Sequence, residues 1–168
     1  MHRPVAVACP TDRPAATCMH LALGGVPLNG GDCTNDGDCV SGPNGRCDPS
    51  STNDGACDRC SYDQCFTDTD CAGRGLCDCR TGPYTGANVC TSGNCRVDAD
   101  CGVGGYCSPS TSRCPGSPDP ASIGYFCRTS KDTCVEDADC TSTTESQQCR
   151  FDAAAGHWRC IDFPACPA

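Results

Sequence analysis

Eight aspartates stand in four copies of one short loop. Asp36 and Asp38 lie in Cys33-Thr34-Asn35-Asp36-Gly37-Asp38-Cys39, Asp68 and Asp70 between Cys65 and Cys71, Asp98 and Asp100 between Cys95 and Cys101, and Asp137 and Asp139 between Cys134 and Cys140. Carboxylates two residues apart suggest calcium, which takes about 6–8 oxygen ligands. Two carboxylates per loop fall short unless carbonyls or neighbouring loops contribute, and the Asp-x-Asp-x-Asp-Gly spacing of calcium loops is absent. A short Asp side chain also accepts hydrogen bonds from backbone N–H groups one or two residues ahead, fixing a turn and capping one helical turn. Turn capping is the expected role. The eight aspartates remain the weaker calcium candidates, and an acidic stripe for a basic partner is a third use; no metal and no cofactor are assigned.

Other groups invite chemistry less. Cys57-Asp58-Arg59-Cys60 has the spacing of zinc and redox sites. Zinc wants a second close pair or histidines, and His2, His20 and His157 stand at no ligand spacing from it. A redox pair would head a helix after a strand, whereas this one lies among turn residues, so each sulfur is expected in a structural disulfide. Cys77 and Cys79 are too close for an ordinary bridge and must take different partners. No nucleophile and base stand in a recognisable order, so the chain is not expected to be an enzyme. Trp158 and Arg159 are candidate anchors of a recognition surface, where an aromatic and an Arg are common; the commoner place for this lone Trp is the largest piece of a minute core.

These loops must be held by something other than an apolar interior. Leu, Ile, Val and Phe number 18 in 168 residues, below the roughly 20% under which a charged chain stays disordered. Ordering the backbone costs about 1–2 kcal/mol per residue. The compensating feature is 22 cysteines, a density that marks a disulfide scaffold; a bridge closing a loop of about fifteen residues stabilises by about 3 kcal/mol in the chain-entropy model.

The four loops open four tandem units. A lead segment, 1–32, carries Cys9 and Cys18. Unit one (33–64) has Cys33, Cys39, Cys47, Cys57 and Cys60; unit two (65–94) has Cys65, Cys71, Cys77, Cys79 and Cys90. Unit three (95–133) has Cys95, Cys101, Cys107, Cys114 and Cys127; unit four (134–168) has Cys134, Cys140, Cys149, Cys160 and Cys166. Five is odd, so no unit closes on its own sulfurs, and the array should be covalently cross-linked. The connectivity is open, since 22 cysteines admit on the order of 10^10 pairings.

The fold class expected is a small disulfide-rich, loop-rich protein with short β-hairpins and little or no helix, its four repeats in an elongated array. A hairpin is expected among the second, third and fourth cysteines of each unit, with Asn44-Gly45 as its turn because both residues of such a turn need positive φ. Unit four, with Gln147-Gln148-Cys149 in place of Gly-x-Cys, should have a longer or looser hairpin. Pro115 to Ser122 reads as an exposed loop, since proline offers a sheet no donor. In the lead segment Leu21, Leu23, Val26 and Leu28 sit in an apolar run broken by Gly24, Gly25 and Pro27. That run suits a short strand or two, either capping the first repeat or offering an edge to another chain. Val5 to Ala8 before Cys9 is like the end of a lipoprotein signal but too short for a signal-peptide core, so the chain reads as mature.

At unit one, Cys33-x5-Cys39-x7-Cys47-x9-Cys57-x2-Cys60-x4-Cys65 with Asp36 in the first loop resembles the N-terminal cysteine-rich domain of Dickkopf proteins. The likeness covers about a fifth of the chain well; later units share its first three or four cysteines. Dickkopf proteins are secreted antagonists that bind Wnt co-receptors, and their colipase-like second domain has no counterpart here. The resemblance implies a small secreted module without catalytic activity and does not carry the partner over.

Disulfide density places the protein in an oxidising compartment: secreted, extracellular or at a cell surface, with the periplasm as the alternative. A net charge of −9 with Lys131 as the one Lys argues against nucleic acid, whose phosphates need clustered cations. No run approaches the roughly 18 apolar residues of a membrane span. The function expected is a non-enzymatic structural or adhesive protein, a coat, matrix or fibre subunit that partners other proteins or itself. The alternative is a secreted binding module such as a receptor antagonist or protease inhibitor.

Overall fold

A computed structural model describes residues 2–13, 22–23, 26–27, 32–49, 57–73, 75–80, 86–112, 121–141 and 147–162. Its strands are β1 (Ala22–Leu23), β2 (Val26–Pro27), β3 (Arg46–Pro49), β4 (Cys57–Ser61), β5 (Leu76–Asp78), β6 (Val89–Thr91), β7 (Tyr106–Ser112), β8 (Ala121–Arg128), β9 (Gln147–Asp152) and β10 (His157–Asp162). Each pairs with its sequence neighbour in a two-stranded sheet. Helical structure among the described residues is confined to 3₁₀ turns at Asp36–Asp38, Asp68–Asp70, Asp98–Cys101 and Asp137–Asp139. The chain is thus a disulfide-rich, loop-rich, repeat-like protein. It divides into two compact units, one of Val7–Cys71 with Cys77–Cys90, the other of Met1–Ala6, Ala72–Leu76 and Thr91–Ala168.

One device is built four times. A five-residue loop between the first two cysteines cannot reach α-helical length, so it closes a single tight turn, with the Cys39 N–H donating to the Asp36 carbonyl at 3.1 Å and Cys140 to Asp137 at 3.0 Å. The first cysteine bonds the third: Cys33–Cys47, Cys65–Cys77, Cys95–Cys107 and Cys134–Cys149. The second bonds a cysteine on the outer strand: Cys39–Cys60, Cys71–Cys90, Cys101–Cys127 and Cys140–Cys160. The two bridges pack together, with Sγ atoms of Cys33, Cys39 and Cys60, and their counterparts in the other repeats, within 4.8 Å of one another. Cystine is the core: Cys33, Cys39 and Cys47 form one buried cluster with Tyr62 against it, and Cys9, Cys65, Cys71 and Cys77 another.

The hairpins differ from the sequence expectation. They join the third cysteine to the fifth in the first three repeats, through β3–β4, β5–β6 and β7–β8, and to the fourth in the last, through β9–β10. The reason is the second bridge, which needs its partner directly across the strand pair: Cys47 faces Cys60, Cys107 faces Cys127 and Cys149 faces Cys160. Asn44-Gly45 is not the hairpin turn. Asn44 takes positive φ (49°) in a turn that leads into β3. Gly45 is required by proximity, since a Cβ there would lie 1.9 Å from the Cys39 carbonyl oxygen; at Gly105 it would lie 2.6 Å from that of Cys101. The last hairpin is not looser: it pairs six residues on each strand from His157↔Asp152 to Asp162↔Gln147, more than β3–β4 but fewer than the seven of β7–β8. Ala121 and Ser122, expected in a loop, begin β8; residues 113–120 lie outside the described residues.

Segments that join repeats are not linkers. The residue before the first cysteine donates its N–H to the residue two before the outer cysteine: Gln64 to Asn88 at 2.9 Å, Asn94 to Tyr125 at 3.0 Å and Thr133 to Trp158 at 2.9 Å. The joining chain thereby adds to the outer edge of the next hairpin. The lead segment is knitted in as well: Cys9 bonds Cys79, and its N–H donates to the Phe66 carbonyl at 2.7 Å. In the apolar run, β1 and β2 pair as Ala22↔Pro27 and Leu23↔Val26; Leu21 and Leu28 lie outside the described residues.

Candidate functional site

The paired aspartates divide one structural task. The second of each pair reaches back to the loop's own start: Asp38 Oδ2 accepts the N–H groups of Thr34 and Asn35 at 2.7 and 3.1 Å, and Asp70 those of Phe66 and Thr67, both at 2.8 Å. Asp100 accepts those of Arg96 and Val97 at 2.7 and 3.0 Å, and Asp139 those of Val135 and Glu136 at 2.6 and 3.0 Å. The first reaches forward to the inner strand, where the N–H of the third cysteine donates to it: Cys47 to Asp36 at 2.9 Å, Cys77 to Asp68 at 3.0 Å, Cys107 to Asp98 at 2.9 Å and Cys149 to Asp137 at 2.9 Å. That carboxylate stands where a neighbouring strand would supply a carbonyl. The bonds run three or four residues back and nine to twelve forward, not the one or two ahead that an isolated turn suggests.

These bonds favour the ionised form. The backbone N–H of Thr34, then its hydroxyl, holds the Asp38 carboxyl below the usual range against opposing burial. The N–H groups of Phe66, Arg96 and Val135 are foremost in lowering Asp70, Asp100 and Asp139. At Asp98 burial acts to raise the pKa and is outweighed, first by the bond to His2 Nδ1 at 2.6 Å and then by the Cys107 N–H.

Sulfur is occupied too. The Sγ triplets have metal-like proximity, but their atoms belong to disulfides, and no described cysteine is free. A disulfide sulfur has no thiolate to give a metal. Cys60 of the Cys57-x2-Cys60 pair bonds Cys39, and Cys77 and Cys79 go separately to Cys65 and Cys9, so Cys9 has no thiol for a lipid. Cys18, Cys114, Cys166 and the side chain of Cys57 lie outside the described residues.

Trp158 is not a surface anchor. It is 1% exposed, packed with Cys134, Cys149, Phe126 and Phe151, and its Nε1 donates to the Cys127 carbonyl at 3.1 Å. The one Trp of the chain thus forms the buried aromatic centre of the cluster that joins β8, β9 and β10. Arg159 is half exposed and pairs with Asp152 at 2.7 Å. Leu23 and Val26 are placed by backbone alone.

Arginines do what sequence reasoning missed. In the last repeat Arg128 donates from Nη1 to the Cys134 carbonyl at 2.7 Å and from Nη2 to Val135 at 2.8 Å, with its guanidinium 3.5 Å from the Trp158 ring centroid. In the third, Arg3 donates from Nη1 to the Arg96 carbonyl at 2.7 Å and lies 5.9 Å over Tyr125. The two seats are equivalent: the carbonyl after the first cysteine and the ring two before the outer one. In the other unit Arg80 meets Asp63 at 2.6 Å with side chains 5% and 0% exposed, and also donates to the Pro10 and Asp12 carbonyls at 2.9 and 2.6 Å. Arg13 reaches Asp48 at 2.5 Å and the Asn44 and Ser61 carbonyls at 3.1 and 3.0 Å. The available signal was 11 Arg to one Lys, a skew expected where a planar, multi-donor cation must satisfy fixed carbonyls.

One surface groove, of about 550 Å³, lies in the unit built from the first two repeats, lined by Asp48, Arg59, Ser61, Tyr62, Gln64 and Val89 among others. No described helix is long and apolar enough to cross a membrane. No protein-family model, curated protein or solved structure matches this chain.

Proposed function

We propose that the protein is a non-enzymatic, extracellular structural protein, a subunit of a surface coat, matrix or fibre. The observation that supports this is that the eight aspartates, which were the best candidates for chemistry, each spend a carboxylate oxygen on a backbone N–H of their own repeat. Nine described disulfides support it further, because such cross-linking suits an oxidising exterior and resists proteolysis. The test is light scattering on the oxidised protein, with imaging in its source. Large assemblies, or tight association with a surface component, support the proposal; a monomer at every concentration refutes it.

A second reading, a secreted protein-binding module such as a receptor antagonist or protease inhibitor, draws on the groove and on the Dickkopf-like spacing of unit one. Arg59 is exposed on the groove wall, and its side chain makes no hydrogen bond or ion pair with a described residue, which suits an acidic side chain on a partner. A monomer that captures one soluble partner, and loses it on Arg59→Glu, would favour this reading.

A further inference from the structure

Arg3 occupies a strand-like slot on the third repeat. Its N–H donates to the Cys107 carbonyl at 2.9 Å and its carbonyl accepts the Asp98 N–H at 2.9 Å, so one extended residue fills both backbone vacancies between turn and inner strand. Its guanidinium takes the Arg96 carbonyl and the face of Tyr125, and the residue is 8% exposed. His2 beside it bonds Asp98 and meets Tyr106 edge-on at 5.8 Å. The equivalent guanidinium seat of the fourth repeat is filled from within the array by Arg128, whereas that of the third is filled by this separate segment.

The stretch after Arg3 is weakly held. Pro4 to Ala8 are exposed, Val5 at 64% and Val7 at 49%, and among the described residues none of the five makes a hydrogen bond. The next anchor is the Cys9–Cys79 bridge. A well-seated residue joined by an unpaired, exposed connector to a covalent anchor is the arrangement that exchanges between identical chains, since each interaction given up within one copy is regained in another.

We propose that the Arg3 slot is a self-assembly site that receives residues 2–3 of a second copy, so that copies join by exchanging this segment. The inference deepens the structural reading and rests on it. Six residues from Cys9 back to Arg3 span at most about 20 Å, so the receiving slot must come that close to the donor's bridge. The intramolecular arm acts at an effective concentration on the order of millimolar, so exchange needs comparable crowding, such as a surface layer supplies.

The test uses the full oxidised chain held at millimolar concentration, followed by light scattering, with a synthetic peptide of residues 2–8 as competitor. The expected result is assemblies whose mean mass falls at least tenfold with excess peptide, while the same peptide carrying Arg3→Ala has no effect. The full chain with Arg3→Ala should stay monomeric with an unchanged disulfide map. Assemblies indifferent to both the peptide and Arg3→Ala overturn the exchange and leave the structural reading standing; a wild-type chain that never assembles overturns both.

Discussion

Arg128 covers the face of Trp158, its guanidinium carbon 3.5 Å from the ring centroid, and from that position it holds the carbonyls of Cys134 and Val135. A cation over an indole is worth about 2 kcal/mol when desolvated; burial of Arg128 pulls its pKa down, and an arginine side chain keeps its charge in a protein. Arg128→Met, similar in length but without donors, leaves the buried Cys134 carbonyl and the part-buried Val135 carbonyl unmatched and should cost about 1–3 kcal/mol. Trp158→Ala should cost about 3–5 kcal/mol. Because Trp158 is the one Trp, its fluorescence in a denaturant titration with disulfides intact reads the Arg128 variant directly; an unshifted midpoint would show that the ring, and not the cation, carries this core.

The second aspartate of each turn gives the fold a defined acid edge. The folded pKa values of Asp38, Asp70, Asp100 and Asp139 lie below the ordinary carboxylate value. Their contribution is therefore fully present above the unfolded value of about 3.9 and is lost as pH falls through the depressed folded values. Carbon-13 titration of the side-chain carboxyls should give midpoints below about 3.9 for these four. Midpoints at or above it would contradict the capping geometry. Added calcium should leave the same signals unmoved.

Gly45 and Gly105 should tolerate no side chain. At Gly45 a Cβ would meet the Cys39 carbonyl oxygen at 1.9 Å, whereas at Gly73 it would meet nothing within 4 Å. Overpacking of this kind costs about 1–3 kcal/mol or more. In oxidative refolding followed by reverse-phase chromatography, Gly45→Ala should lower the yield of the native disulfide isomer well below that of Gly73→Ala, whose only cost is positive φ (66°). Equal yields would refute the close approach.

Asp63 has a fully buried side chain and is held by Arg80, the Asn44 amide and the Asn88 N–H. Burial, which acts to raise its pKa, is outweighed by these donors. Removing one partner of a buried pair costs about 3–5 kcal/mol, while replacing both costs less. Arg80→Met should therefore destabilise more than Arg80→Met combined with Asp63→Leu, measured as urea midpoints; the reverse order would show that the pair is held for its charge.

The Cys9–Cys79 bridge spans 70 residues, against 12 to 26 for the other described bridges. In the chain-entropy model a loop of that length is worth about 4 kcal/mol. Cys9→Ala with Cys79→Ala should lose about that much, yet leave the two internal bridges of each repeat intact on mass-spectrometric mapping, since Arg80 still holds the carbonyls of Pro10 and Asp12. Scrambled internal bridges would mean that the lead segment directs the repeats' oxidation.

The repeat and its fold class were legible because cysteine spacing and the Asp-x-Asp pattern are local and fourfold. The carboxylates' roles were half legible. Asp38 serves its own loop, but the link from Asp36 to Cys47 crosses eleven residues, and nothing in the spacing reveals it. Hairpin strands were misplaced because the outer cysteine must both face the third cysteine across the sheet and bond the second, a long-range condition. Trp158 read more readily as a core residue than as an anchor, but its partner, Arg128, lies 30 residues earlier in sequence and could not be read. The arginine seats were invisible for the same reason, as their acceptors are main-chain carbonyls and leave no trace in side-chain identity.

An interior made of cystine rather than hydrocarbon also sets how stability responds to temperature. Denaturation with the bridges intact uncovers little oily surface to restructure water, so the heat-capacity increment should fall below the usual value of roughly 12–15 cal/mol/K per residue. The free-energy curve is then shallow and broad, with its cold limit pushed far down. Such a molecule keeps nearly the same resistance to unfolding through wide swings between cold and heat.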